Sequence, residues 1–396
     1  MTPRHIMVAT IPAWGHTFPL FGGVAELVRR GHRVSMLASD SFTAEVTRVA
    51  DPLPYASPMD AGFTGSRAAP AVDILPELLD EARAAWSALE RHALAHRPDL
   101  VVYDVTAWSG WALATRLRVP AICSWPVFAS NAEFSLHDEY VVFDNGSDGM
   151  QEFFGNVAAF LSDVGLAEIS PMAFFENEAD RNIVLFPRAF QPAGHTFDAR
   201  FTFVRPCIRA PEQSADRGWL DRSNPLLVVS LGTIYNDNAP FFRACVDASA
   251  VLGWHAAVSI GDRVRPEDVG GDPARVLVRR RLPMIDTLRR ATVLVSHGGM
   301  SSTIEALHHG VPLLLVPQIG EQDAVADRIE VLGLGRRLRE PFDAAGIAKQ
   351  VAAAAADVAM RDRVTRFQAL LRAESGAAAF ADAVERAMTP SKGICA

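Results

Sequence analysis

Cysteine is scarce. Four residues in 396, Cys123, Cys207, Cys245 and Cys395, are scattered without any paired metal-ligand spacing. They read as core or incidental thiols of a reducing compartment, and no metal is expected. No apolar run approaches the roughly 18 residues that a membrane-spanning helix needs. The first residues run straight into a strand-like segment with no charged leader, apolar stretch and cleavage site, so a cytoplasmic location is the expectation. Positive charge is not in excess. A net charge of −8 argues against a broad nucleic-acid surface, while leaving a local basic groove open. Low-complexity tracts and short repeats are absent as well.

What is present is an ordinary globular composition, 49% apolar and 21% charged, in a chain longer than one hydrophobic core supports. Two domains follow as the default. Residues 5–11 read as a buried strand, 12–17 as a loop, 18–30 as a helix ending at Gly31, and 33–38 as a second buried strand. Strands at 99–103 and 120–124 flank a helix over 108–117. The alternation restarts at 226–231, with a loop over 232–240, a helix to about Leu252, and strands near 254–260, 276–278, 292–296 and 312–316. Apolar strands alternating with helices imply parallel sheets covered on both faces, here in two doubly wound α/β domains. The Pro-, Arg- and polar-rich stretch 205–224 is the natural linker. Residues 138–149 are expected to form a mobile loop, the chain beyond about Asp343 to be helical as far as Met388, and the last residues to be disordered.

The most informative motif is Ser296-His297-Gly298-Gly299-Met300-Ser301-Ser302, leading from a strand into a helix that carries Glu305. Unpaired amides and the positive end of the dipole converge at such a helix start, which suits a phosphate. Gly298 and Gly299 allow close approach, Ser301 and Ser302 add hydroxyl donors, and His297 can donate or, protonated, offset charge. Glu305 can accept from ribose hydroxyls. The alternative is a plain glycine-rich turn with a serine cap, since the spacing is neither G-x-G-x-x-G nor a P-loop. Thr233, after another strand, is either a phosphate donor or an ordinary turn residue. Glu321 and Gln322 suit sugar hydroxyls, or else begin a solvated helix.

In the N-terminal half, His16 follows the first strand just ahead of a helix, and Asp104 ends another strand at the same sheet edge. A carboxylate that holds one ring nitrogen protonated leaves the other free as a base. The competing reading is a surface histidine and an unrelated capping aspartate. Trp14, Trp108, Phe128 and Phe134, with Trp125, follow the strands of this half and line an acceptor pocket or belong to the core.

These motifs together resemble family 1 glycosyltransferases, and within them bacterial macrolide and natural-product enzymes. The resemblance rests on His297-x-Gly299-x-x-Ser302-x-x-Glu305, Pro317-x-x-x-Glu321-Gln322, the run Ile11-Pro12-Ala13-Trp14-Gly15-His16, Glu26-Leu27-Val28-x-x-Gly31-His32, Pro187-Arg188-Ala189-Phe190-Gln191-Pro192 and Val229-Ser230-Leu231-Gly232-Thr233, and it covers nearly the whole chain. It implies the GT-B fold, two Rossmann-like domains facing a cleft: an acceptor-binding domain over 1–204, a linker over 205–224, and a nucleotide-sugar domain over 225–396 whose terminal helices pack back on the first. It implies His16 as catalytic base and Asp104 as its partner. It also implies His297, Gly299, Ser301, Ser302 and Thr233 at the diphosphate, Glu305 at the ribose, and Glu321 and Gln322 at the donor sugar. Arg281 and Met284 stand where many members have Trp and Gln at the base, so both uridine and thymidine donors stay open.

The implied activity is inverting, metal-independent transfer of a hexose, with UDP-glucose favoured, to a hydroxyl of a hydrophobic natural product such as a macrolide antibiotic or polyphenol. No cofactor is expected beyond the nucleotide-sugar co-substrate, no Asp-x-Asp motif offers a divalent cation site, and the protein is expected as a monomer or homodimer. The alternatives are a transferase that uses a dTDP-deoxysugar, a sugar-nucleotide epimerase, and a non-catalytic binding or helper protein.

Overall fold

The computed structural model describes residues 2–61, 74–141, 146–175, 179–208, 216–220 and 223–389. The chain divides into two compact units, one of Met1–Ile208 with Glu374–Ala396, the other of Arg209–Ala373.

Seven parallel strands are found among the described residues of the first unit: β1 (His5–Ala9), β2 (Arg33–Ser39), β3 (Asp51–Tyr55), β4 (Leu100–Asp104), β5 (Ala121–Trp125), β6 (Asn182–Val184) and β7 (Phe201–Phe203). Their order is β3-β2-β1-β4-β5-β6-β7, so the winding direction reverses between β1 and β4. Alternate residues of β1 serve opposite faces, as the two-residue period requires. Met7 and Ala9 join a core with the helices Ile74–Ala95 and Asp148–Asp163, while Ile6 and Val8 join one with the helices Trp14–Arg29 and Gly376–Met388.

The terminal helix Gly376–Met388 therefore belongs to the first unit. Phe380, fully buried, lies over Gly23, where a Cβ would come 2.4 Å from its ring. Around this contact Arg30 donates to Asp382 at 2.6 Å and to Glu385 at 2.8 Å, and His32 Nε2 lies 3.0 Å from Glu385.

The second unit repeats the winding with six parallel strands among its described residues: β8 (Leu226–Ser230), β9 (His255–Ser259), β10 (Val276–Arg279), β11 (Val293–Ser296), β12 (Leu313–Leu315) and β13 (Gly335–Arg337), in the order β10-β9-β8-β11-β12-β13. Its reversal falls between β8 and β11. Ligands of open α/β sheets bind beyond the carboxyl ends of the strands at such reversals.

The structure corrects several expectations. The first helix begins at Trp14, not residue 18, and contains Pro19, so His16 stands in its first turn and not in a preceding loop. Strands β3, β6, β7 and β13 and the helices Ile74–Ala95 and Asp148–Asp163 were not among the expected elements. The expected loop over 138–149 is partly helical. Asp138 and Glu139 close a short helix, and Ser147 caps the helix that begins at Asp148, while 142–145 lie outside the described residues. Parts of the linker, 209–215 and 221–222, and the terminal residues 390–396 also lie outside them. Among the described residues, no helix is long and apolar enough to cross a membrane.

Candidate active site

In the first unit the two strands at the reversal deliver one residue each. β1 leads through Thr10–Ala13 into the helix that carries His16, and β4 ends on Asp104. Thr17 Oγ1 donates to the Ile11 carbonyl at 2.8 Å and fixes the entry of that helix. Asp104 has no solvent exposure, and its two oxygens lie 2.9 and 3.0 Å from His16 Nδ1. Thr106 completes its shell by donating its backbone amide at 2.9 Å and its hydroxyl at 2.5 Å to Asp104 Oδ1. A carboxylate can only accept, so Nδ1 carries the proton in this pair and Nε2 of a neutral His16 is the basic atom. Gly110 lets the next helix ride close over the strands, since a Cβ there would lie 2.5 Å from the Ala9 Cβ.

The aromatic candidates separate into two groups. Trp14 is partly buried and stacks on Phe18 with centroids 4.3 Å apart, and Trp108 is partly buried against Phe153 and Phe174. Phe128 and Phe134, 1% and 5% exposed, are enclosed with Phe186 and Phe190. Both are core residues with almost no exposed surface. Gln191 ties its segment to this region, its side chain exchanging hydrogen bonds with the amide and carbonyl of Ala129 at 3.0 and 2.9 Å.

In the second unit, β8 leads to Gly232 and Thr233, and β11 leads to His297. Gly232 has φ +80°, and a Cβ there would lie 2.6 Å from His297 Nε2, while one on Gly299 would lie 2.5 Å from the same atom. The imidazole is therefore seated between two glycines. Burial pushes it down to about 4, opposed by a hydrogen bond with the Ser230 backbone. Of the two expected roles, burial favours the neutral ring that donates a hydrogen bond over the protonated one that offsets charge. Gly299 caps the helix Met300–His308, which places Ser301 and Ser302 in the first turn and Glu305 farther along. Thr233 is exposed.

Glu321 and Gln322 open the helix Gly320–Leu332 after β12. Gln322 is 7% exposed, and its Oε1 accepts from the Gln318 amide at 2.8 Å, which leaves its amide nitrogen for other partners. Arg337 of β13 pins this helix start, donating to Asp323 and Asp327 at 2.6 Å each. Arg281 is exposed and donates to Asp262 at 3.2 Å, and Met284 begins a short helix beside it. Thr106, Asp262 and Arg337 were not visible as site residues in the sequence. Only Thr106 left a signal, a hydroxyl two residues after a strand-ending aspartate.

The comparisons agree with this geometry. Residues 246–385 match the family described as erythromycin biosynthesis protein CIII-like, C-terminal domain. The chain is 31% identical to the NDP-glycosyltransferase YjiC of Bacillus licheniformis, over 99% of both proteins. It is 34% identical to the demethyllactenocin mycarosyltransferase of Streptomyces fradiae, over 98% of this chain and 87% of that one. The crystal structure of CalG4, the calicheamicin glycosyltransferase, superposes with a TM-score of 0.84 at 32% identity, covering 99% of this chain and all of that one. The chain belongs to the family 1 glycosyltransferases of GT-B fold.

Proposed function

We propose that this enzyme transfers a hexose, with UDP-glucose the favoured donor, to a hydroxyl of a hydrophobic natural product of the macrolide or polyphenol kind, with inversion and without a metal. The observation that carries the reading is the buried Asp104 paired with His16 Nδ1 at the carboxyl end of β1 and β4. Likeness to enzymes named for lactenocin and calicheamicin substrates supports the acceptor class.

The acceptor hydroxyl gives its proton to His16 Nε2 as its oxygen bonds to the anomeric carbon. The bond from that carbon to the diphosphate oxygen breaks, and the electron pair leaves with the nucleotide. A single displacement inverts the centre, so an α-linked donor yields a β-glycoside. The leaving group gathers negative charge. The amides at the start of Met300–His308, with Ser301, Ser302, Thr233 and His297, are suited to receive it. Glu305 then serves the ribose, Arg281 and Met284 the base, and Glu321 and Gln322 the sugar hydroxyls.

A second reading, a deoxysugar donor carried on thymidine diphosphate, draws on the mycarosyltransferase relative and on Arg281 at the base position. A donor-by-acceptor screen read by mass spectrometry, with EDTA present, separates these. β-Glucosides formed from UDP-glucose support the first reading, and preference for thymidine-linked deoxysugars supports the second. Conversion of the nucleotide sugar without an acceptor would replace both with an epimerase.

A further inference from the structure

The turn between β8 and the helix Ala239–Leu252 contains two asparagines with different duties. Asn238 caps the helix, accepting from the Phe241 amide at 3.2 Å. Asn236 does nothing for the helix. In a turn whose neighbours are exposed or partly exposed, its side chain points inward and is 1% exposed. Its Nδ2 donates to the Gly232 carbonyl at 2.9 Å, and its Oδ1 is buried with no partner among the described residues. Buried polar side chains in loops usually organise backbone, and an unpaired one calls for a specific reason.

The space that holds Asn236 is itself built. Gly261, just past β9, has φ +69°, and a Cβ there would fall 2.1 Å from Nδ2 and 2.7 Å from Oδ1. One glycine is thus open for the amide, and the other, Gly232, is gripped by it. Gly232 is also the residue whose missing Cβ admits the His297 ring. On the other side, Gly261 precedes Asp262, which pairs with Arg281. Asn236 therefore stands between the turn that faces the diphosphate and the loop that braces the base-side arginine.

We propose that Asn236 is a positioning residue for the sugar nucleotide, holding the Gly232–Thr233 turn at a fixed spacing from the Gly261–Asp262 loop. The inference rests on the proposed donor site in the second unit. By fixing the Gly232 carbonyl, Asn236 turns the following Thr233 outward and keeps room for His297. It touches neither the acceptor nor the reacting atoms, so its effect belongs in donor affinity.

Binding of UDP to the intact protein, by calorimetry, tests this beside steady-state kinetics. Asn236→Ala should weaken UDP binding and raise the donor KM by about tenfold, with kcat at saturating donor and the acceptor KM little changed. Gly261→Ala, which pushes on the same amide, should do the same. Asn236→Asp turns a carboxylate toward the Gly232 carbonyl, and only its protonated form can donate. Its UDP affinity relative to wild type should therefore recover as pH falls from 7 to 5. Thermal melts identify variants that are simply unfolded. Loss of kcat with unchanged UDP binding in folded Asn236→Ala and Asn236→Asp variants would overturn the proposal. If wild-type protein bound no UDP at all, the donor-site reading itself would fall, a different outcome from wild-type binding that Asn236 does not influence.

Discussion

His16 Nδ1 lies 2.9 Å from a carboxylate oxygen of Asp104 that solvent does not reach. The pair fixes both the ring orientation and the proton position, which are the requirements of a general base. His16→Ala is expected to lower kcat on an aliphatic alcohol by about 10²–10⁴-fold, equivalent to roughly 3–5 kcal/mol. Asp104→Asn should also be severe, and the double variant should be little worse than the worse single one. A phenol of low pKa should depend less on His16. Steady-state kinetics on both acceptor types checks this, and full activity of His16→Ala on the alcohol would refute the mechanism.

Thr106 supports Asp104 with two hydrogen bonds, one through its hydroxyl at 2.5 Å. Thr106→Val removes only that hydroxyl. Loss of one hydrogen bond to a charged group amounts to about 1.5–3 kcal/mol. A kcat loss of roughly ten- to a hundredfold is expected, smaller than for His16→Ala and with donor binding unchanged.

Two glycines of positive φ should respond differently to alanine. At Gly253, φ is +68° and nothing lies within 4 Å of a new Cβ, so the cost is the backbone penalty of about 1–2 kcal/mol. At Gly232 the same penalty is joined by a clash with the His297 ring. Gly253→Ala should lower the melting temperature and leave UDP affinity intact, whereas Gly232→Ala should lose UDP affinity as well.

Acid should weaken the fold through two histidines. Burial, the leading cause in each case, pushes His297 and His309 down to about 4 from 6.5. Between these values the unfolded chain binds protons that the folded one refuses, so stability falls as pH drops from about 6.5 toward 4. The contribution is fully present above that window. Urea melts across it should show the slope, and His297→Gln should reduce it.

Docking of the terminal helix depends on Phe380, which is fully buried against Gly23. Phe380→Ala should cost about 3–5 kcal/mol. Gly23→Leu should release Gly376–Met388 to proteolysis and hydrogen exchange, while the second unit keeps its protection.

The sequence by itself determined the two-sheet α/β plan. The central strands β1, β2, β4, β8, β9 and β11 are buried on both faces, so each is written as an apolar run that needs no partner to be recognised. The glycine-rich turn before Met300 was legible for a similar reason, since backbone approach and helix capping are local demands. The edge and short strands were decided by tertiary pairing. β3 carries Pro52 and Pro54, tolerable only because it pairs on one side, with β2. β6, β7 and β13 have three residues each, too few for any period to show. The first helix was expected from residue 18, but it starts at Trp14 and accommodates Pro19 internally. Which aromatics are core could not be read locally, since Phe128 is enclosed by Phe186 and Phe190 from about 60 residues away. The same holds for the His16–Asp104 pair. His16 and Asp104 are 88 residues apart, and only the pairing of β1 beside β4 brings them within hydrogen-bond distance.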